Sequence, residues 1–135
     1  MKLSNLIIFF LIISLTSCVT ESYQDLRSDN RYNISKIKVG NLLSEVEQIM
    51  GDKIADGDIS GVLGEKVRNP YKIENIELKG SSYLIYYYYT ERIGDKSWET
   101  GVSPIVFLNN KVIGIGWRSM ESLGLESPSR TLKIR

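Results

Sequence analysis

Apolar residues fall into three regimes along this chain. An uninterrupted block, Leu6 to Ile13, follows Met1 and Lys2; a helical spacing appears between Leu42 and Met50; from Tyr71 onward, apolar and aromatic residues form short runs broken by turn residues. Leu42, Leu43, Val46, Ile49 and Met50 stand at i, i+1, i+4, i+7 and i+8, one stripe of a helix, with Glu45, Glu47 and Gln48 outside it. Asn41 is suited to cap the first turn, Glu45 to face the positive end of the dipole, and Gly51 to take the left-handed conformation that ends a helix. About 9 or 10 helical residues do not persist alone in water, so the stripe predicts a sheet beneath it.

The second half supplies that sheet. Tyr71 to Leu78, a Lys79-Gly80-Ser81 turn and Tyr83 to Thr90 read as one hairpin, rich in β-branched and aromatic residues. Ile105 to Leu108, Asn109-Asn110 and Lys111 to Trp117 read as another, because asparagine tolerates the positive φ angles of a tight turn. Pro104 lacks an amide donor and is expected at the start of its strand. The pattern predicts an α+β fold: a short N-terminal helix packed on a four-stranded antiparallel sheet in sequence order. A second helix around Ile59 to Lys66 stays open.

Four consecutive tyrosines, Tyr86, Tyr87, Tyr88 and Tyr89, lie in the second predicted strand. Alternate side chains point to opposite faces, so one pair is expected under the helix and the other on the open face. Aromatic side chains with a polar tip are enriched at protein interfaces. Tyr86 to Tyr89, joined by Trp117 or Trp98, are therefore a candidate partner surface; the alternative is plain β-propensity, with that face covered by a loop or the C-terminal segment.

The N-terminal block has the form of a secretory signal: a basic start, an apolar stretch too short for a stable span, and Ser14, Thr16 and Ser17 before Cys18, the only cysteine. That pattern is a lipobox, with cleavage before Cys18 and diacylglycerol on its thiol. Two or more acyl chains suffice for stable anchoring. Residues 1–17 are thus expected as signal peptide. Residues 18–35 are expected as the lipidated N-terminus and a flexible tether, since Val19 to Ser35 is mostly polar without a sustained apolar period. A flexible tether of about 17 residues has a root-mean-square reach of roughly 20 to 25 Å. The α+β domain is expected over 36–126 and a tail over 127–135. In the C-terminal stretch, Ser119 to Leu125 suits one helical turn, while Arg118, Arg130, Lys133 and Arg135 give the end a basic character.

Charge and chemistry narrow the function classes. The chain has 17 Lys+Arg, 16 Asp+Glu and no His. Loss of Lys2 with the signal leaves the mature chain formally neutral, without a global attraction to nucleic acid. A lipidated Cys18 leaves no thiol for redox or metal chemistry. Asp52, Asp56 and Asp58 offer hard oxygen ligands, but the twelfth residue counted from Asp52 is Leu63, where an EF-hand loop needs glutamate. Catalysis needs a positioned nucleophile, acid or base; Glu74, Glu77, Asp95 and Glu99 are scattered, and Ser97 has no histidine to activate it. The expectation is a protein that is not an enzyme and requires no cofactor or metal.

The order of elements, with the pattern Gly40-x5-Val46-x4-Gly51, a loop, an aromatic strand and Val106-Phe107-Leu108-Asn109-Asn110-Lys111-Val112, resembles the small lipoproteins related to BamE (SmpA/OmlA), the accessory subunit of the outer-membrane β-barrel assembly machinery. The resemblance covers about residues 36 to 117. Asn41-Leu42 stands where that family usually has Met-Thr, and Tyr71 to Leu78 adds a strand, so the better match is a separate branch of the superfamily rather than BamE itself. The resemblance implies a periplasm-facing protein-binding or scaffolding module on the outer membrane, with outer-membrane assembly as a candidate process. Val19 after the cysteine agrees with that location, since an aspartate there favours the inner membrane in enterobacterial sorting. The alternative is a binding module for an enzyme it inhibits, for peptidoglycan or for lipid. Expected partners are the membrane, through Cys18, and a protein of the cell envelope.

Overall fold

The computed structural model describes residues 21–56, 66–91 and 101–126. In chain order these form β1 (Glu21–Ser22), α1 (Tyr23–Ile34), α2 (Leu43–Met50), β2 (Ile54–Asp56), β3 (Lys66–Arg68), β4 (Lys72–Leu78), β5 (Ser81–Tyr89), β6 (Val102–Leu108), β7 (Lys111–Ile115) and α3 (Trp117–Leu123). The fold is α+β. Strands β4-β5-β6-β7 make an antiparallel sheet in sequence order, and β1-β2-β3 make a second, smaller sheet.

Tight turns set the register of the large sheet. Lys79 and Gly80 have φ of 51° and 80°, and Asn109 and Asn110 have 50° and 61°, so both hairpins turn on two residues with positive φ, whose twist matches that of the flanking strands. Pro104 is the third residue of β6, inside the sheet rather than at the strand's start, and it faces Tyr87 on β5. The site tolerates it because Pro104 O accepts from Gly116 N at 2.7 Å, while Gly116 O, which a Pro104 amide would otherwise reach, accepts from Ser119 N and Met120 N at the start of α3. The missing donor leaves no orphaned acceptor.

Both faces of the sheet are covered over β5 and β6. On one face Val46 and Met50 of α2 pack with Ile37 against Tyr86, Tyr88, Ile105, Phe107 and Val112. On the other, Leu26 of α1, Ala55 and Val67 of the small sheet, and Met120 and Leu125 at the C-terminal end pack on Ile85, Tyr87, Tyr89, Val102 and Val106. The expected single helical layer is therefore one of two coverings. Glu45, rather than Asn41, caps α2: its carboxylate accepts from Leu42 N at 2.7 Å and from Asn41 Nδ2 at 3.0 Å, while Asn41 Oδ1 closes a turn onto Lys38 N. Those bonds hold the Glu45 carboxyl below its ordinary pKa.

Residues 21–34, expected as tether, are instead β1 and α1, so the fold includes residues N-terminal to position 36. Ser22 caps α1, accepting from Asp25 N. The helix presents Tyr23, Leu26, Asn30 and Ile34 along one side, with Leu26 and Asn30 fully buried. Asn30 is tolerated there because its amide exchanges two hydrogen bonds with Asn69, at 2.9 and 2.7 Å. Asn30 Nδ2 also donates to Tyr89 O, and Asn69 Nδ2 to Met50 O. This clasp joins α1, the end of α2 and β5. The α3 turn expected over Ser119 to Leu125 is present from Trp117 to Leu123. The possible helix over 59–65, Trp98, and the tail over 127–135 lie outside the described residues, and Lys66 belongs to β3.

Candidate functional site

The tyrosine run does not form a surface. Tyr86, Tyr87, Tyr88 and Tyr89 alternate between the two cores as the strand period requires, but every one is buried, with exposures of 8, 0, 0 and 2%. On the α2 side, Tyr86 lies 5.3 Å from the Phe107 ring and 6.4 Å from Tyr88. On the α1 side, Tyr89 meets Tyr23 edge-on at 5.4 Å and Tyr71 at 4.4 Å. Trp117, half-buried at the start of α3, stacks 5.7 Å from Tyr87 and donates Nε1–H to Val102 O. The covering that removes the open face comes from α1, α3 and the small sheet. Cys18 lies outside the described residues.

Paired polar tips account for the depth of two of the four tyrosines. Tyr87 Oη donates to Glu74 Oε2 at 2.7 Å, and Lys72 Nζ sits 2.6 Å from Glu74 Oε1. Tyr86 Oη donates to Glu47 Oε1 at 2.9 Å; burial, and then the Glu47 bond and charge, push its pKa up to about 12. Burial likewise raises Tyr88, with Tyr86 and Glu47 adding to the effect.

One exposed apolar position lies one strand away. β4 is the last strand of the sheet, paired with β5 among the described residues. Its residues alternate: Lys72, Glu74, Ile76 and Leu78 turn inward, half-buried, while Ile73, Asn75 and Glu77 turn outward on the α2 side. Ile73 is 50% exposed, because α2 covers β5, β6 and β7 and stops short of this strand. The opposite edge is closed: Gly40 N donates to Val112 O, Val112 N to Asn41 O and Leu43 N to Asn110 O, so residues 40–43 run along β7. The β7 edge is thus backbone-paired, although Leu42 on it is 44% exposed, and the β4 edge carries the exposed Ile73. The sequence marks Tyr71 to Leu78 as a strand, and the polar pair Asn75 and Glu77 sharing a face with Ile73 is the signal that this face stays open.

Of the carboxylates weighed for catalysis, Glu74 and Glu77 point to opposite faces of β4, and Glu74 is engaged by Tyr87 and Lys72. Asp95, Ser97 and Glu99 lie outside the described residues, as does Asp58. Among the described residues no group of three His, Cys, Asp or Glu is placed to hold a metal ion, and no helix is long and apolar enough to cross a membrane. Searches of protein-family models, curated proteins and solved structures find no match to this chain.

Proposed function

We infer that the chain is a non-catalytic bacterial envelope lipoprotein, anchored through Cys18, whose domain binds a protein partner along β4. The exposed Ile73 on β4, a strand paired on one side only among the described residues, carries this reading. An edge strand offers unpaired backbone donors and acceptors to a partner's extended segment, while the outward side chains give selectivity. Ile73 and Glu77 on the same face suit an extended segment with an apolar residue at one position and a cation four residues away in the opposite direction. The lipobox supports the anchor, and Val19 supports the periplasmic side of the outer membrane. The resemblance to BamE-like lipoproteins makes outer-membrane assembly the process in which such a partner would act.

A photo-reactive residue at position 73, with one at the exposed Tyr32 of α1 as control, tests the reading in cells. One envelope protein captured from position 73 alone, and lost in both Glu77→Lys and Cys18→Ala chains, is the expected result. Capture unaffected by Glu77→Lys, or equal capture from position 32, rejects β4 as the contact.

A further inference from the structure

The small sheet brings an apolar side chain and two cations to the end of the chain that carries the anchor. Only Val19 and Thr20 separate Cys18 from Glu21, the first residue of β1. Three residues of fully extended chain span about 10 Å at most, against the 20 to 25 Å expected of a longer tether. The headgroup region of a bilayer is itself roughly 5 to 8 Å deep on each side. An acylated Cys18 therefore holds β1 at the membrane surface instead of suspending the domain above it.

What lies next to β1 is fixed by the register. Strand β2 runs parallel to β1, with Glu21 beside Ala55, and antiparallel to β3, with Ile54 opposite Arg68, Ala55 opposite Val67 and Asp56 opposite Lys66. Ala55 and Val67 are buried in the core. The strand period then places positions 54 and 56 of β2 and 66 and 68 of β3 on the outer face, where Ile54 is 43% exposed, both basic residues are exposed, and Asp56 stands opposite Lys66, so that Arg68 is the cation without an acidic position across the strand pair. Ala55, next to Ile54, pairs with Glu21, three residues after the anchor, and a guanidinium stands across from Ile54. The mature chain is formally neutral, so attraction to an anionic surface has to come from a local group such as this one.

We propose that Ile54, Lys66 and Arg68 form a membrane-contact face that seats the domain on the anionic phospholipids of the leaflet holding the Cys18 acyl chains. The proposal rests on the reading of Cys18 as the lipid anchor. Ile54 inserts at the level of the glycerol backbone, while the two cations pair with headgroup phosphates, as basic residues beside lipid anchors do.

A lipidated Cys18 has no free thiol, so Ile54→Cys and Ile73→Cys each create a unique site for a spin label in the acylated, full-length mature protein. The protein is reconstituted in phosphatidylethanolamine vesicles with or without phosphatidylglycerol, and intact-mass measurement first establishes the acylation. With phosphatidylglycerol present, the label at 54 is expected to be accessible to oxygen and shielded from a water-soluble nickel chelate, while the label at 73 stays accessible to the chelate. Lys66→Gln and Arg68→Gln are each expected to lower the ratio of membrane-seated to unseated protein about fivefold, with an unchanged melting temperature because both side chains are exposed. A label at 54 as accessible to the chelate as the label at 73, in acylated protein, overturns the contact face and leaves the anchor standing. Seating unchanged by both glutamine variants or by omission of phosphatidylglycerol overturns the electrostatic part. A mass without acyl chains removes the anchor itself, and the proposal with it.

Discussion

Tyr88 is fully buried, and its Oη is one of two buried side-chain atoms without a hydrogen-bond partner among the described residues. A buried, unpaired hydroxyl costs about 1–3 kcal/mol, while its ring fills the space between Tyr86 and α2. Tyr88→Phe keeps the ring and removes the cost, so it is expected to raise stability by ~1 kcal/mol in chemical denaturation; a loss of that size would show that the hydroxyl has a partner, such as an internal water. Tyr86 makes the complementary case. Its pKa is raised to about 12 by burial and by the Glu47 bond, so the folded protein holds this proton where the unfolded chain, with an ordinary value near 10, has released it. The resulting stabilisation is complete below about pH 10 and is lost as pH rises towards 12, with Tyr88 adding in the same direction. Denaturation midpoints measured from pH 8 to 12 are expected to fall across that window, and to fall less steeply in Tyr86→Phe. At this scale, sequence shows which residues alternate along β5; it does not show that both sets are buried, because that depends on elements far away in the chain.

Elements with strong periodicity were readable, and the one with a mixed stripe was not. α2 and both hairpins follow from Val46 and Met50 at helical spacing and from Lys79-Gly80 and Asn109-Asn110 at the turns. α1 escaped because its buried side contains Asn30, which reads as a solvated residue until Asn69, 39 positions away, supplies the reciprocal amide. The signals present were Ser22 three residues before Asp25, a helix start, and Tyr23, Leu26, Asn30 and Ile34 on one side. Asn30→Ala would leave the Asn69 amide and Tyr89 O without their partner, and is expected to cost ~2 kcal/mol or more in chemical denaturation. α3 is held by proximity instead. A Cβ on Gly114 of β7 would lie 2.7 Å from Ser119 Cβ, and Ser119 Oγ is itself bonded to both Ile115 N and Ile115 O. Gly114→Ala must push α3 off β7, so a loss of about 1–3 kcal/mol is expected, as for other overpacked sites. Ala introduced at Gly40, where a Cβ meets nothing within 4 Å but φ is +95°, separates the effect of backbone strain from that of crowding.

At the scale of the molecule, the candidate site moved because the domain is larger than its periodic part. The tyrosines were legible as a strand but not as an interior, since the covering on their α1 side comes from residues 21–34 and 117–125 and from Ala55 and Val67 of the small sheet. With that face closed, the exposed apolar positions include Ile73 on β4 and Ile54 on β2, at an edge and next to the anchor. Removal of residues 19–35, which joins Cys18 directly to Lys36, decides between tether and core element. A tether of any length can be shortened with no change in the folded state. α1, however, contributes the fully buried Leu26, worth about 1.5–3 kcal/mol, the Asn30 half of the amide clasp, and the Tyr23 ring against Tyr89. Its loss also uncovers Tyr89 to water. Against a total stability of about 5–15 kcal/mol for an ordinary domain, these terms together remove most of the margin. The shortened protein is expected to lose its cooperative thermal transition by circular dichroism and to bind a hydrophobic dye; a sharp transition within a few degrees of the full mature chain would return residues 21–34 to the role of a linker.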